Sequence, residues 1–339
     1  MKHYKPKNRL SAQAYIDGVL KGDRMVLSRA ITVIESNLES DKILAKEIIQ
    51  KILPASGNSM RIGVTGVPGV GKSTFIEAFG KYLISQGHKV AILSIDPSSQ
   101  RSKGSILGDK TRMEELSGME AAYIRPSASG ETLGGVANKT AESMLLCEAA
   151  GYDIILIETV GVGQSETAVH GMTDFFLLLM LAGAGDELQG IKKGIMEMAD
   201  MVVINKADGD NMKQSDKARL QYQNALHLFP PSESGWTPTV TKASALHNTG
   251  IETVWENILN YRDLVASNGY FIKNRNHQKI QWMYDTINEE LKQLFYGSEA
   301  IANQLPKLES QIISSQISPV KAAEDMITQF KETLSLKTD

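Results

Sequence analysis

The residues most able to do chemistry form one contiguous stretch, Gly66-Val67-Pro68-Gly69-Val70-Gly71-Lys72-Ser73. It fits G-x-x-x-x-G-K-[ST], a pattern whose glycines let backbone N–H groups turn inward around phosphate oxygens. A helix that starts at the end of such a loop adds the positive end of its dipole. Lys72 is then placed to reach β- and γ-phosphates, and the Ser73 hydroxyl to bind Mg²⁺. Thr74, the next helical residue, belongs to the same nucleotide-binding set.

A second pattern, Asn205-Lys206-Ala207-Asp208, is N-K-x-D. The Asp208 carboxylate can accept from guanine N1–H and the exocyclic amine, whereas adenine presents an acceptor at N1 and would leave that carboxylate unmatched. Lys206 has the stem to lie over a base plane. Ser244-Ala245-Leu246 follows the next strand, where a backbone amide would meet the base O6.

Hard oxygen donors for a magnesium ion are Ser73 directly, with Asp96, Asp109 and Glu158 as candidates to hold its waters. Glu158-Thr159-Val160-Gly161 stands where many GTPases carry D-x-x-G, so the Gly161 amide is expected to sense a γ-phosphate. Gln164 lies near but not directly after that glycine, and no residue is evidently placed to orient an attacking water. Slow intrinsic hydrolysis, helped by a partner, is therefore expected. The glycine-rich segment 183–195 reads either as a connector or as a nucleotide- or partner-responsive switch, with Gln189, Lys192 or Lys193 able to swing toward phosphate. The catalytic set is then Lys72, Glu158, Gly161, Gln189 and Lys192.

These residues need a frame. Residues 61–65 are a short apolar run before the loop, and 73–79 open a helical pattern. Further strands are expected at 89–95, 121–125, 153–158, 175–181, 201–204 and 237–241, with a helix over 135–150. Continuous apolar strands between helices imply an α/β fold, a mostly parallel sheet covered on both faces. Every motif lies at the carboxyl end of a strand, where such sheets bind ligands.

Residues 1–10 read as a loose basic arm. Asp23 reads as a helix cap, followed by one apolar stripe at Leu27, Ile31, Ile34 and Leu38. A second helix is expected over 42–53, then a linker at 55–59. Beyond about Tyr270 the strands stop. Amphipathic helices are expected over 281–295 and 318–334, with Leu305-Pro306 in a less regular stretch between them. The organisation is thus a helical extension (1–57), a nucleotide-binding domain (58–267) and a helical dimerisation extension (268–339).

The chain has 339 residues, 42% hydrophobic and 22% charged, with net charge −3. That is a globular composition, and nothing global recommends nucleic acid or an anionic membrane as partner. The apolar run 175–185 is too short to span a bilayer. No secretory signal is expected at the basic start. The single cysteine, Cys147, excludes an internal disulfide and fits a reducing cytoplasm. Six scattered histidines show no metal spacing, which argues against a metal-insertion GTPase.

Taken together, Gly66–Ser73, Asp96-Pro97-Ser98-Ser99, Glu158-Thr159-Val160-Gly161-Val162-Gly163-Gln164-Ser165-Glu166, segment 183–193 and Asn205–Asp208 resemble the methylmalonyl-CoA mutase-associated GTPases, also known as ArgK or LAO/AO transport ATPases. Gly22-Asp23-Arg24 and Arg29-Ala30-Ile31-Thr32 add to the likeness, which covers about residues 10–330. The resemblance implies a homodimer of P-loop GTPases that binds GTP/GDP and Mg²⁺ and hydrolyses GTP slowly. It implies an adenosylcobalamin-dependent methylmalonyl-CoA mutase, or a related acyl-CoA mutase, as partner. The protein would gate that enzyme's cofactor loading and protect it, and the mutase would speed hydrolysis. By position, the resemblance assigns Lys72, Ser73, Asp96, Asp109 and Glu158 to phosphate and metal, and Asn205, Lys206, Asp208 and Ser244–Leu246 to the base.

Overall fold

The computed structural model describes residues 9–96, 113–126, 133–159, 165–183 and 193–335. Seven strands form one all-parallel sheet: β1 (Met60–Gly66), β2 (Val90–Ile95), β3 (Ala122–Arg125), β4 (Ile154–Thr159), β5 (Phe175–Leu181), β6 (Met201–Asn205) and β7 (Thr239–Lys242). Their spatial order is β3-β2-β4-β1-β5-β6-β7. The strand before the phosphate loop is therefore central, and the chain winds outward from it in both directions. The last strand lies slightly later than the expected 237–241.

The helices, in chain order, begin with α1 (Ala12–Leu20), α2 (Arg24–Glu35), α3 (Glu39–Ile52), α4 (Lys72–Ser85) and α5 (Glu114–Ser117). Next come α6 (Leu133–Ala149), α7 (Ser165–His170), α8 (Lys193–Met198), α9 (Met212–Leu226) and α10 (Ile251–Ser267). The last are α11 (Tyr270–Tyr296), α12 (Glu299–Ile313) and α13 (Pro319–Ser335).

Strand β5 explains why the sheet reads as unbroken apolar sequence. Successive side chains leave opposite faces of a strand. Leu177 and Leu179 join Phe75, Phe79, Trp255 and Ile258 in one core cluster. Leu178 and Met180 join Tyr222 and Leu226 in another. Both faces of β5 are buried, so neither admits polar residues.

Near the amino end, Ser11 caps α1 by accepting from the Ala14 N–H at 3.3 Å, and Tyr15, Ile16 and Val19 are buried. No helix was expected here, the first being expected after the Asp23 cap, so α1 is an additional element. The Arg9 guanidinium is itself paired with Asp41, Nη2 to Oδ2 at 2.6 Å. Residues 1–8 lie outside the described residues. Asp23 caps α2 as expected, its carboxylate accepting from the N–H groups of Met25 and Val26. The expected stripe ends early. The backbone turns extended at Ser36, and Leu38 becomes the exposed cap of α3 rather than a fourth core residue. Helices α2 and α3 pack against α6.

Two buried ion pairs lie at the amino-terminal edge of the sheet. Arg61 Nε donates to Glu148 Oε1 at 2.8 Å, and Glu148 also accepts from the Gly57 N–H. Arg275 donates through Nε and Nη2 to Asp174 at 2.7 and 2.6 Å, and through Nη2 and Nη1 to the carbonyls of Ser59 and Gly57. The expected 55–59 linker is thus held by side chains far along the chain.

Contacts divide the chain into two compact units, Met1–Gln278 and Lys279–Asp339. In the second, Phe295 and Phe330 meet edge-on with ring centroids 5.1 Å apart. Pro306, expected in a less regular stretch, lies inside α12. A proline there costs the helix one backbone bond, and the packing of α12 against α13 sustains it.

Candidate nucleotide-binding site

The phosphate loop leaves β1 at Gly66, and a side chain there is sterically barred. A Cβ would sit 2.5 Å from the Leu179 carbonyl oxygen. Gly69 and Gly71 have φ of +76° and +87°, the left-handed region that favours glycine. Val67 is half-buried, Pro68 exposed and Val70 fully buried, so the loop is pinned at its middle to the core. The turn closes with the Val70 N–H donating to the Val67 carbonyl at 3.2 Å.

Helix α4 starts at Lys72, and its first backbone bond runs from the Phe75 N–H to the Gly71 carbonyl at 2.9 Å. The N–H groups of Lys72, Ser73 and Thr74 therefore face out of the helix end, where an anion would be drawn. The Lys72 ammonium curls over the loop and donates to the Gly66 carbonyl at 2.8 Å. Burial pushes the Lys72 pKa down, while the Glu158 and Glu166 carboxylates push it back up, and the net shift is downward. A phosphate anion would supply the missing favourable charge.

Asp96 and Glu158 are both buried, at or just beyond the ends of the neighbouring strands β2 and β4. Glu158 stands between Ser94 of β2 and Val64 of β1, and its Oε1 accepts from the Ser94 hydroxyl at 2.9 Å. Beside it the Thr65 and Thr159 hydroxyls are 2.9 Å apart. Two carboxylates at adjacent strand ends, next to the start of α4, are the oxygen-rich setting that a hydrated magnesium ion fits. Asp109, Gly161, Gln164, Gln189 and Lys192 lie outside the described residues, as does the Lys193 side chain.

On the other side of the loop, the Asn205 amide donates to the Val70 carbonyl at 2.8 Å, and its Oδ1 accepts from the Ala245 N–H at 3.4 Å. Lys206 has φ of +56°, and its Nζ donates to the Gly69 carbonyl at 2.8 Å. Asp208 accepts from the Ser244 hydroxyl, which aims the carboxylate. The Ala207 N–H donates to the Ala243 carbonyl, so the ends of β6 and β7 form one rigid corner. Leu246 is exposed beyond it. The structure thus brings together Gly66–Thr74, Asp96, Glu158, Asn205–Asp208 and Ser244–Leu246 along one sheet edge.

Sequence reasoning gave no role to Glu166 or Ser94. Glu166 is buried in α7 and its charge acts on Lys72. It belongs to the Gly-Gln-Ser-Glu run that carried the family likeness, but its proximity to Lys72 depends on the fold.

A phosphate loop after the central strand and an N-K-x-D corner on the same edge define a P-loop guanine-nucleotide-binding protein. Residues 27–300 match the family described as Methylmalonyl Co-A mutase-associated GTPase MeaB, and the chain belongs to that family. A putative GTPase of Caulobacter vibrioides is 49% identical over 312 residues, covering 92% of this chain and 95% of that one. The GTPase ArgK of Escherichia coli is 47% identical, with 82% and 84% covered. The mitochondrial methylmalonic aciduria type A homolog of Mus musculus is 43% identical, with 94% and 80% covered. A crystal structure of a LAO/AO transport system kinase superposes with a TM-score of 0.76 at 36% identity, covering 96% of this chain and all of that one.

Proposed function

We propose that the protein hydrolyses GTP to GDP and phosphate at the carboxyl edge of its sheet, and that the nucleotide state controls its service to an adenosylcobalamin-dependent acyl-CoA mutase of the methylmalonyl type. The observation that carries the nucleotide reading is the bond from Asn205 to Val70, which ties the base corner to the phosphate loop. The family description supports the choice of client.

In this reading the residues divide the work by position. Backbone N–H groups of the Gly66–Thr74 turn, with the α4 end, hold the phosphates, and Lys72 leaves the Gly66 carbonyl to bridge the β- and γ-phosphates. Asp208 reads the guanine edge, Lys206 covers the base plane, Asn205 braces both, and the Ser244–Leu246 backbone meets O6. Ser73 binds Mg²⁺ directly, and Asp96, Asp109 and Glu158 hold its waters. When bound there, Mg²⁺ would supply positive charge against that developing on the transferred phosphoryl group. Gly161, Gln189 and Lys192 answer to the γ-phosphate. Catalysis is positioning and electrostatics, so turnover is slow until the mutase completes the site.

We place the protein in the cytoplasm as a homodimer. The buried free thiol of Cys147 fits a reducing compartment. No described helix is long and apolar enough to cross a membrane. In the second unit, Ile280, Tyr284, Ile287, Leu291 and Leu294 are exposed at alternating spacings of four and three, the seam of a coiled-coil contact with a second copy. A time course of phosphate release from GTP, with and without the mutase, tests the proposal. Release that is absent from the protein alone and not accelerated by mutase overturns it.

A further inference from the structure

A cavity of about 480 Å³ opens at the amino-terminal edge of the sheet. Its walls come from the segments that lead into β5, β6 and β7, with the starts of α11 and α7's far end. The seven residues of β5 separate this edge from the nucleotide edge by about 20 Å. The volume is that of a small-molecule site.

The wall chemistry is one-sided. Phe176, Trp236, Tyr261 and Tyr270 supply aromatic surface, while no lysine or arginine is among the lining residues. Trp236 stands edge-on to Tyr261 with centroids 5.6 Å apart, and Tyr261 is in turn edge-on to Phe175, so this wall is fixed. The lining carboxylates are Asp174, Glu197 and Asp200; Glu197 is exposed, and Asp174 is already neutralised by Arg275. Asp200 is not. Its Oδ2 accepts from the Phe176 N–H at 2.8 Å, and its carbonyl accepts from Trp236 Nε1 at 2.9 Å. Burial pushes the Asp200 carboxyl up to about 7, opposed only by the Phe176 N–H. A carboxylate buried beside aromatic rings without a counter-charge is costly.

We propose that this cavity binds an organic cation, an ammonium or guanidinium group on an apolar body, with the charge at Asp200 and the body against Trp236, Tyr261 and Tyr270. Aromatic faces attract cations through the ring quadrupole, and desolvation strengthens that attraction. An anion meets no lysine or arginine here, only the imidazoles of His170 and His227. A neutral apolar molecule leaves Asp200 as it is. The described residues offer no cluster of three metal-ligating side chains. The inference is independent of the nucleotide reading, because the two sites lie on opposite edges.

The test is calorimetric titration of the full-length protein at pH 8 with four probes: phenylethylammonium, phenylguanidinium, phenylethanol and phenylacetate. Both cations are expected to bind at least about tenfold more tightly than phenylethanol, and phenylacetate not at all. Asp200→Asn, with its fold checked by circular dichroism, removes the preference for cations. Tyr270→Leu, at a half-buried position, weakens the cations severalfold more than phenylethanol and serves if the first variant does not fold. Equal affinity for cation and alcohol, no cation binding at millimolar concentration, a preference that survives Asp200→Asn, or cation binding indifferent to Tyr270→Leu overturns the proposal.

Discussion

The Asn205 side chain donates to the Val70 carbonyl at 2.8 Å across 135 positions of sequence. One amide thus joins the run proposed to read a base to the run proposed to hold phosphates. Asn205→Ala leaves the buried Val70 carbonyl and the Ala245 N–H without this partner. Such losses cost about 1–3 kcal/mol each. We expect GTP affinity to fall at least about tenfold by calorimetry, with a lower thermal midpoint.

Lys72→Ala removes the ammonium that bonds to the Gly66 carbonyl over the loop. Tight GTP binding is expected to disappear in the same calorimetric assay. Undiminished affinity would remove the phosphate-loop assignment.

Asp208→Asn replaces an acceptor with a group that also donates. GTP affinity should drop by about 10- to 100-fold and the preference for GTP over ATP should narrow. Ser244→Ala frees the carboxylate without altering its charge, so its effect is in the same direction and smaller. An unchanged GTP-to-ATP ratio in Asp208→Asn counts against the base site.

The pH dependence of stability has a definite sign at Asp200. Its carboxyl is raised from 3.8 to about 7. Below about pH 4 both folded and unfolded chains hold the proton, and the contribution is fully present. Between about pH 4 and 7 the unfolded chain binds fewer protons, so stability is lost as pH rises. Asp200→Asn imitates the protonated group. Relative to the parent chain it should gain stability from pH 4 to pH 8, by up to about 4 kcal/mol at 1.36 kcal/mol per unit. Urea denaturation at the two pH values measures this, and a constant difference contradicts it.

What the sequence revealed and what it hid follow one division. The phosphate loop and N-K-x-D are contiguous, so their residues announce themselves. Strands such as β2 and β5 are apolar and buried on both faces and stand out for the same reason, whereas the edge strand β7, Thr239-Val240-Thr241-Lys242, is less distinct. Leu38 misled because its spacing continues a helical stripe, whereas the backbone turns extended at Ser36. Pro306 misled because local propensity disfavours it inside a helix, and tertiary packing overrides that preference. Arg275 with Asp174, Glu166 beside Lys72, and Asp200 under its aromatic wall join distant positions. No local pattern records such pairs, and only the folded chain brings them together.

Gly66 lies so close to Leu179 that no methyl group fits between them. The grip on a nucleotide therefore has no slack against the middle of the molecule. A cavity opened beneath Leu179 or Leu177 would loosen the turn before it melted the domain. Heat-sensitive variants of these interior leucines should fail first as leaky holders of their ligand, while their circular dichroism still looks normal.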